Sequence, residues 1–164
     1  MTATWPPGRR FPRPVSAIVI HHSATVDSGT LSWPAIARFH VEQMGFDAVG
    51  YHAGIEWVVG DYRVILGRPP WRTGAHTKER DSAGVRWNHK SLGFCFVGDF
   101  DAAEPPPAAL ELAAALWLAP TLKSHGLTAA ALIPHSAIAG YKTCPGVLFP
   151  IGELRDICDS LLKE

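Results

Sequence analysis

Hydrophobic and polar positions change period several times along the chain. Residues 15–20 (VSAIVI) form a short, mostly apolar, β-branched run suited to a buried strand, which delivers His21 and His22 at its C-terminal end. After a polar loop, Trp33, Ile36, Ala37, His40, Val41 and Met44 recur at helical spacing, with Ser32 as cap and Gly45 as stop. Residues 50–66 predict a β-hairpin turning at Gly60-Asp61, and SLGFCFV (91–97) predicts a second buried strand. A proline triplet, Pro105 to Pro107, opens an Ala/Leu-rich helix over about 108–125, with a kink expected at Pro120. A short strand near 131–133 follows, and Ile151, Leu154, Ile157, Cys158, Leu161 and Leu162 form the apolar stripe of a last helix. The order β, α, β-hairpin, β, α, β, α predicts an α/β fold: a single domain with a central mixed sheet flanked by helices.

Two segments break this regularity. Residues 1–14 hold four prolines and three arginines and are expected to form an N-terminal arm preceding the main domain over 15–164. Residues 67–90, rich in Gly, Pro and Arg, are too long for an idle connector and are expected to form a functional surface loop.

Composition narrows the class of function. A chain of 164 residues, 47% hydrophobic and 18% charged, can bury one core without disulfides, and fifteen basic residues balance fifteen acidic ones. That balance supplies no extended basic stripe for nucleic acid. No run suits membrane insertion, and the Pro/Arg-rich start is unlike an apolar leader, so synthesis in the cytoplasm without a signal peptide is expected, as a monomer. The chain contains no GxGxxG, GxxxxGK[ST], GxSxG or HExxH.

The candidate chemistry lies in histidine and cysteine. A catalytic zinc site needs three imidazole, thiolate or carboxylate ligands from rigid strand ends or short loops, with the fourth position open. His21, His135 and Cys144 fit that requirement. Cys144 lies in a polar turn beside Lys142, which would favour its thiolate, whereas Cys95 and Cys158 lie on apolar stripes and belong to the core. His52 neighbours Tyr51 on a strand and should point to the opposite face, as a core group or a support to the site; His22 is equally open, and His89 and His125 are expected to face solvent.

Six segments in order then carry a resemblance: IVIHHSAT (18–25), VGYH (49–52), GRP (67–69), GAH (74–76), NHKSLGFCFVGDF (88–100), and PH followed by KTCPG (134–146). Together they resemble the zinc-dependent N-acetylmuramoyl-L-alanine amidases, which include phage amidase-type lysozymes and the peptidoglycan recognition proteins. The resemblance implies Zn2+ held by His21, His135 and Cys144, with Tyr51 and Lys142 as catalytic donors. Either donor could protonate the leaving amine. His76 and Asn88 match groove positions, and Trp71, Arg72 and Trp87 are added as candidates for binding sugar faces or stem-peptide carboxylates. The His135 to Cys144 stretch is one residue longer than the family's common spacing. The implied reaction is hydrolysis of the amide between N-acetylmuramic acid and L-alanine in peptidoglycan, in a phage or prophage endolysin acting on the cell wall. A recycling amidase acting on soluble muropeptides and a non-cleaving peptidoglycan-binding module are the alternatives. The cysteine ligand, which non-catalytic relatives commonly lack, favours catalysis.

Overall fold

The computed structural model describes residues 10–29 and 32–164. Its frame is a five-stranded sheet in the order β3-β2-β4-β1-β5, formed by β1 (Ala17–His22), β2 (Ala53–Val58), β3 (Asp61–Leu66), β4 (Ser91–Phe96) and β5 (Leu132–Pro134). β1 runs parallel to both β4 and β5, β2 runs parallel to β4, and only the β2–β3 hairpin is antiparallel, giving the mixed sheet that the pattern predicts. The structure extends β1 through both histidines, because His21 and His22 pair in register with Cys95 and Phe96. The hairpin turns one residue earlier than expected, at Val59-Gly60, where both residues take positive φ (48° and 85°) as the strand twist demands of a tight turn.

Alternation along β1 sends Ile18 and Ile20 to one face and Val19 and His21 to the other. The first face carries the larger core, in which Ile18, Ile20, Leu92, Phe94 and Phe96 pack against Leu110, Ala113, Leu118, Leu122 and Leu154. The covering helices are α2 (Pro107–Ala113), a π-helical turn (Ala114–Leu118), α3 (Ala119–Ser124) and α5 (Ile151–Leu162). The π turn falls where the sequence predicts a kink. Pro120 has no N–H for the Leu116 carbonyl, and the wider turn just before it absorbs that misfit.

On the opposite face α1 (Trp33–Glu42) packs through Trp33 on a small cluster with Val49, Cys95 and Val97. The capping acceptor at its N-terminus is the buried Glu56 carboxylate of β2, which takes the N–H groups of Ser32 and Trp33, the latter at 3.2 Å. Of the expected N-terminal arm, residues 1–9 lie outside the described residues. Phe11 packs against the larger core and stacks on His52, and Arg10 bridges Arg72. No helix among the described residues is long and apolar enough to cross a membrane.

Candidate metal centre and its groove

Parallel strands end together, so the C-terminal end of β1 and the segment following β5 bring their side chains to one edge of the sheet. His21 comes from β1, His135 opens the short helix α4 (His135–Ile138) directly after β5, and Cys144 lies beyond the following turn. One potential ligand atom from each lies within 4.8 Å of the others. The backbone ties the three segments together: Ser136 N–H donates to the Cys144 carbonyl at 2.6 Å, and His22 N–H points at Cys144 Sγ at 3.4 Å. The additional residue between His135 and Cys144 lies in a stretch whose turn is closed by the Lys142 N–H to Ala139 carbonyl bond at 2.8 Å.

Hydrogen bonds fix the tautomer of His21. His76 Nε2 faces the Ser91 carbonyl at 3.3 Å, and a carbonyl only accepts, so that nitrogen carries the proton. Burial first, then neighbouring His52, takes His76 down to about 3 and keeps its ring neutral. Its Nδ1 is therefore an acceptor, and His21 Nε2, 3.0 Å away, is the donor. This leaves the lone pair of His21 on Nδ1, which faces Cys144 Sγ at 3.7 Å. Burial, with His76 and His135 next, holds His21 well below the usual imidazole range, and burial also lowers His135. Both shifts favour the neutral ring, the form that coordination of a metal requires.

Cys144 behaves otherwise. Burial pushes its thiol up to about 11, outweighing the His22 N–H and the Lys142 charge that pull it down. Lys142 acts in the expected direction but does not by itself make a thiolate, so deprotonation would need a cation at the sulfur. Two neutral imidazoles and one thiol that ionises on coordination form a donor set suited to zinc.

These residues floor a groove of about 740 Å³ whose walls include His40, Phe46, Tyr51, Glu79, Tyr141 and Lys142. The Tyr51 ring centroid lies 5.1 Å from that of His21, and burial raises its hydroxyl well above the usual phenol range, so it remains a donor. The carboxylate of Glu79 contacts His135 Nε2 at 3.4 Å and accepts from the Tyr141 hydroxyl at 2.6 Å and from Thr77 Oγ1. Burial alone would raise Glu79, but the bonds from Thr77, Tyr141 and His135 bring it down to about 2.

Other candidates fall elsewhere. His76 lines the groove but is 7% exposed and supports His21 from behind, in a seat that Gly93 leaves open: a Cβ there would stand 2.6 Å from the His76 ring. Asn88 also lines the groove, yet its Oδ1 accepts from the His76 and Thr77 amides at 3.2 Å each and its Nδ2 donates to the Thr77 carbonyl at 2.6 Å. Trp71, Arg72 and Trp87 do not border the groove. Trp71 is a surface residue beneath Arg10, and Trp87 lies under Lys90 at 4.1 Å. Arg72, expected to meet a substrate carboxylate, is 1% exposed and ion-paired with Asp47, which also binds Arg68 at 2.7 Å. It is a latch between loops. His52 resolves as support: it is buried, with Nε2 on the Arg72 carbonyl at 2.8 Å and Nδ1 taking the Gly93 N–H at 2.9 Å. His22 is likewise buried and receives the Phe100 N–H at 3.3 Å, and Cys95 and Cys158 are fully buried as expected. His125 is exposed as expected and His89 is half-buried. Sequence reasoning missed Glu79 and the groove-lining role of His40, which the sequence presents only as a member of the helical stripe over 33–44.

An endolysin of Klebsiella phage KP32 is 34% identical over 133 residues, covering 79% of this chain and 80% of the phage protein. Peptidoglycan recognition protein 1 of Bos indicus is 27% identical over 155 residues, covering 91% and 73% of the two chains. The solved structure of the amidase LysC from Clostridium intestinale superposes with a TM-score of 0.71 at 23% identity, covering 95% of this chain and 93% of its own, and shows the same fold. The model of the N-acetylmuramoyl-L-alanine amidase family matches residues 11–147, so the chain belongs to that family.

Proposed function

We propose that the protein hydrolyses the amide between N-acetylmuramic acid and L-alanine in peptidoglycan, with Zn2+ held by His21, His135 and Cys144, as a phage or prophage endolysin. The observation that carries this reading is the convergence of two neutral imidazoles and a thiol at the floor of a groove with Tyr51 and Lys142 on its walls. Zinc in that position would polarise the scissile carbonyl and lower the pKa of water. His21 offers Nδ1 because His76 holds the opposite nitrogen protonated. Cys144 supplies the negative charge that two imidazoles lack, and the His22 N–H stabilises it. Tyr51 keeps its proton and donates a hydrogen bond to the oxyanion of the tetrahedral intermediate. Lys142, on the same groove, provides a second donor and a proton for the departing alanine amine. The groove, about 740 Å³, has the volume of a site that takes a ligand larger than a single sugar or amino acid.

Metal analysis tests the proposal. Protein purified without added metal should contain about one zinc per chain, lose peptidoglycan hydrolysis on chelation and regain it with zinc. Hydrolysis unaffected by chelator, in protein without metal, would overturn the proposal. Binding to peptidoglycan without any hydrolysis by the zinc-loaded protein would favour a recognition module instead.

A further inference from the structure

The two imidazoles of the centre are supported differently. His21 leans on another neutral ring, whereas His135 Nε2 faces a carboxylate oxygen of Glu79 at 3.4 Å. Glu79 sits in the 67–90 segment, far from His135 in sequence, and is held there by several bonds. Its Oε2 receives Thr77 Oγ1 and the Lys78 N–H at 3.1 Å, its Oε1 receives the Tyr141 hydroxyl at 2.6 Å, and its carbonyl receives the Trp87 N–H at 3.1 Å. The side chains of Glu79 and His135 are only 12% and 5% exposed. This contact is therefore shielded, unlike an exposed ion pair whose partners exchange freely with water.

We propose that Glu79 is a positioning residue for the metal centre: its carboxylate holds His135 with Nε2 protonated and Nδ1 turned toward the metal, strengthening His135 as a ligand. The inference rests on the metal-centre reading above. A carboxylate accepts and cannot donate, so contact with Nε2 selects the tautomer whose lone pair is on Nδ1. The negative charge also raises the basicity of the ring it touches, and support of this kind typically changes metal affinity ~10- to 100-fold. Glu79 has a second task, joining the 67–90 segment to the 139–144 turn through Tyr141. That bond allows loop clasping to be separated from ligand orientation.

The test measures zinc affinity by chelator competition in the wild type, Glu79→Ala, Glu79→Gln and Tyr141→Phe, with the thermal stability of each metal-free protein alongside. Glu79→Ala should bind zinc ~10- to 100-fold more weakly. Glu79→Gln, which keeps an acceptor oxygen without the charge, should recover part of that loss and serves as the test if the alanine variant does not fold. Tyr141→Phe, which removes only the clasp, should stay within about threefold of wild type. Equal losses in Glu79→Ala and Tyr141→Phe would mean that the loop contact is what matters and would overturn the inference, as would wild-type affinity in both Glu79 variants. Wild-type protein that bound no zinc would overturn the underlying metal reading as well, and is distinguishable because it fails before any substitution is made.

Discussion

The two faces of the sheet are built to opposite specifications. The face under α2, α3 and α5 is filled by interdigitated aliphatic and aromatic side chains. The face under α1 has a cluster of four buried apolar residues and beside it a set of buried histidines at the strand ends. The same β1 strand serves both, since Ile18 and Ile20 point into the large core while His21 points into the site. The difference teaches where stability and chemistry are kept. One face excludes water to hold the fold, and the other leaves a groove open and stabilises its polar groups by pairing them with one another.

Substitutions on the two faces should therefore fail in different ways. The largest effect is expected for Cys144→Ser and His21→Ala, which remove a proposed ligand: zinc content and hydrolysis should fall together by ~10³-fold or more while circular dichroism stays that of the folded protein. Retention of stoichiometric zinc in both variants would break the comparison. Tyr51→Phe and Lys142→Ala should keep the metal and lose ~10²-fold in turnover, equivalent to ~3 kcal/mol of transition-state stabilisation. If Lys142→Ala alone is fully active, the longer His135 to Cys144 stretch has moved its ammonium off the reaction. On the other face, Leu110→Ala should cost ~2–5 kcal/mol in denaturant unfolding without changing zinc stoichiometry. Loss of metal in that variant under folding conditions would show that the two faces are not separable.

Acid should act on the histidine face first. Burial takes His52 down to about 4 and His76 to about 3, against about 6.5 in the unfolded chain. Below pH 6.5 the unfolded chain takes up protons that the folded one refuses, so the stability contributed by these neutral rings is complete above 6.5 and is lost as pH falls toward 4. Unfolding free energies measured between about pH 6 and 4.5 should fall with a slope approaching two or more protons. A flat profile would mean that neither ring is held neutral. The smallest effects are expected at Trp71 and Trp87, outside the groove, where alanine should leave turnover within about twofold.

Much of this was legible in the sequence, for identifiable reasons. The strands and helices follow from period-2 and helical spacing, and the convergence of His21, His135 and Cys144 agrees with the motifs that single them out. Glu79 was not legible. Its approach to His135 depends on how the 67–90 segment folds back, through the Lys90–Asp81 ion pair, the Asn88 bonds to 76–77 and the Trp87 N–H to Glu79 carbonyl bond. No local period encodes that path. Arg72 looked like a surface cation because its charge partner, Asp47, lies 25 positions away. His76 was placed at the groove by its motif, but its role behind His21 depends on the space above Gly93, a three-dimensional clearance.

The bond that is cut tests the account most directly. Glycosidases rely on a pair of carboxylates set ~5 to 9.5 Å apart across the sugar linkage, whereas the groove here converges on imidazoles and a thiol. Purified peptidoglycan digested with the zinc-loaded protein should release stem peptides with a new N-terminal alanine by mass spectrometry, leaving glycan strands without new reducing ends. New reducing sugars with no new alanine amine would contradict it.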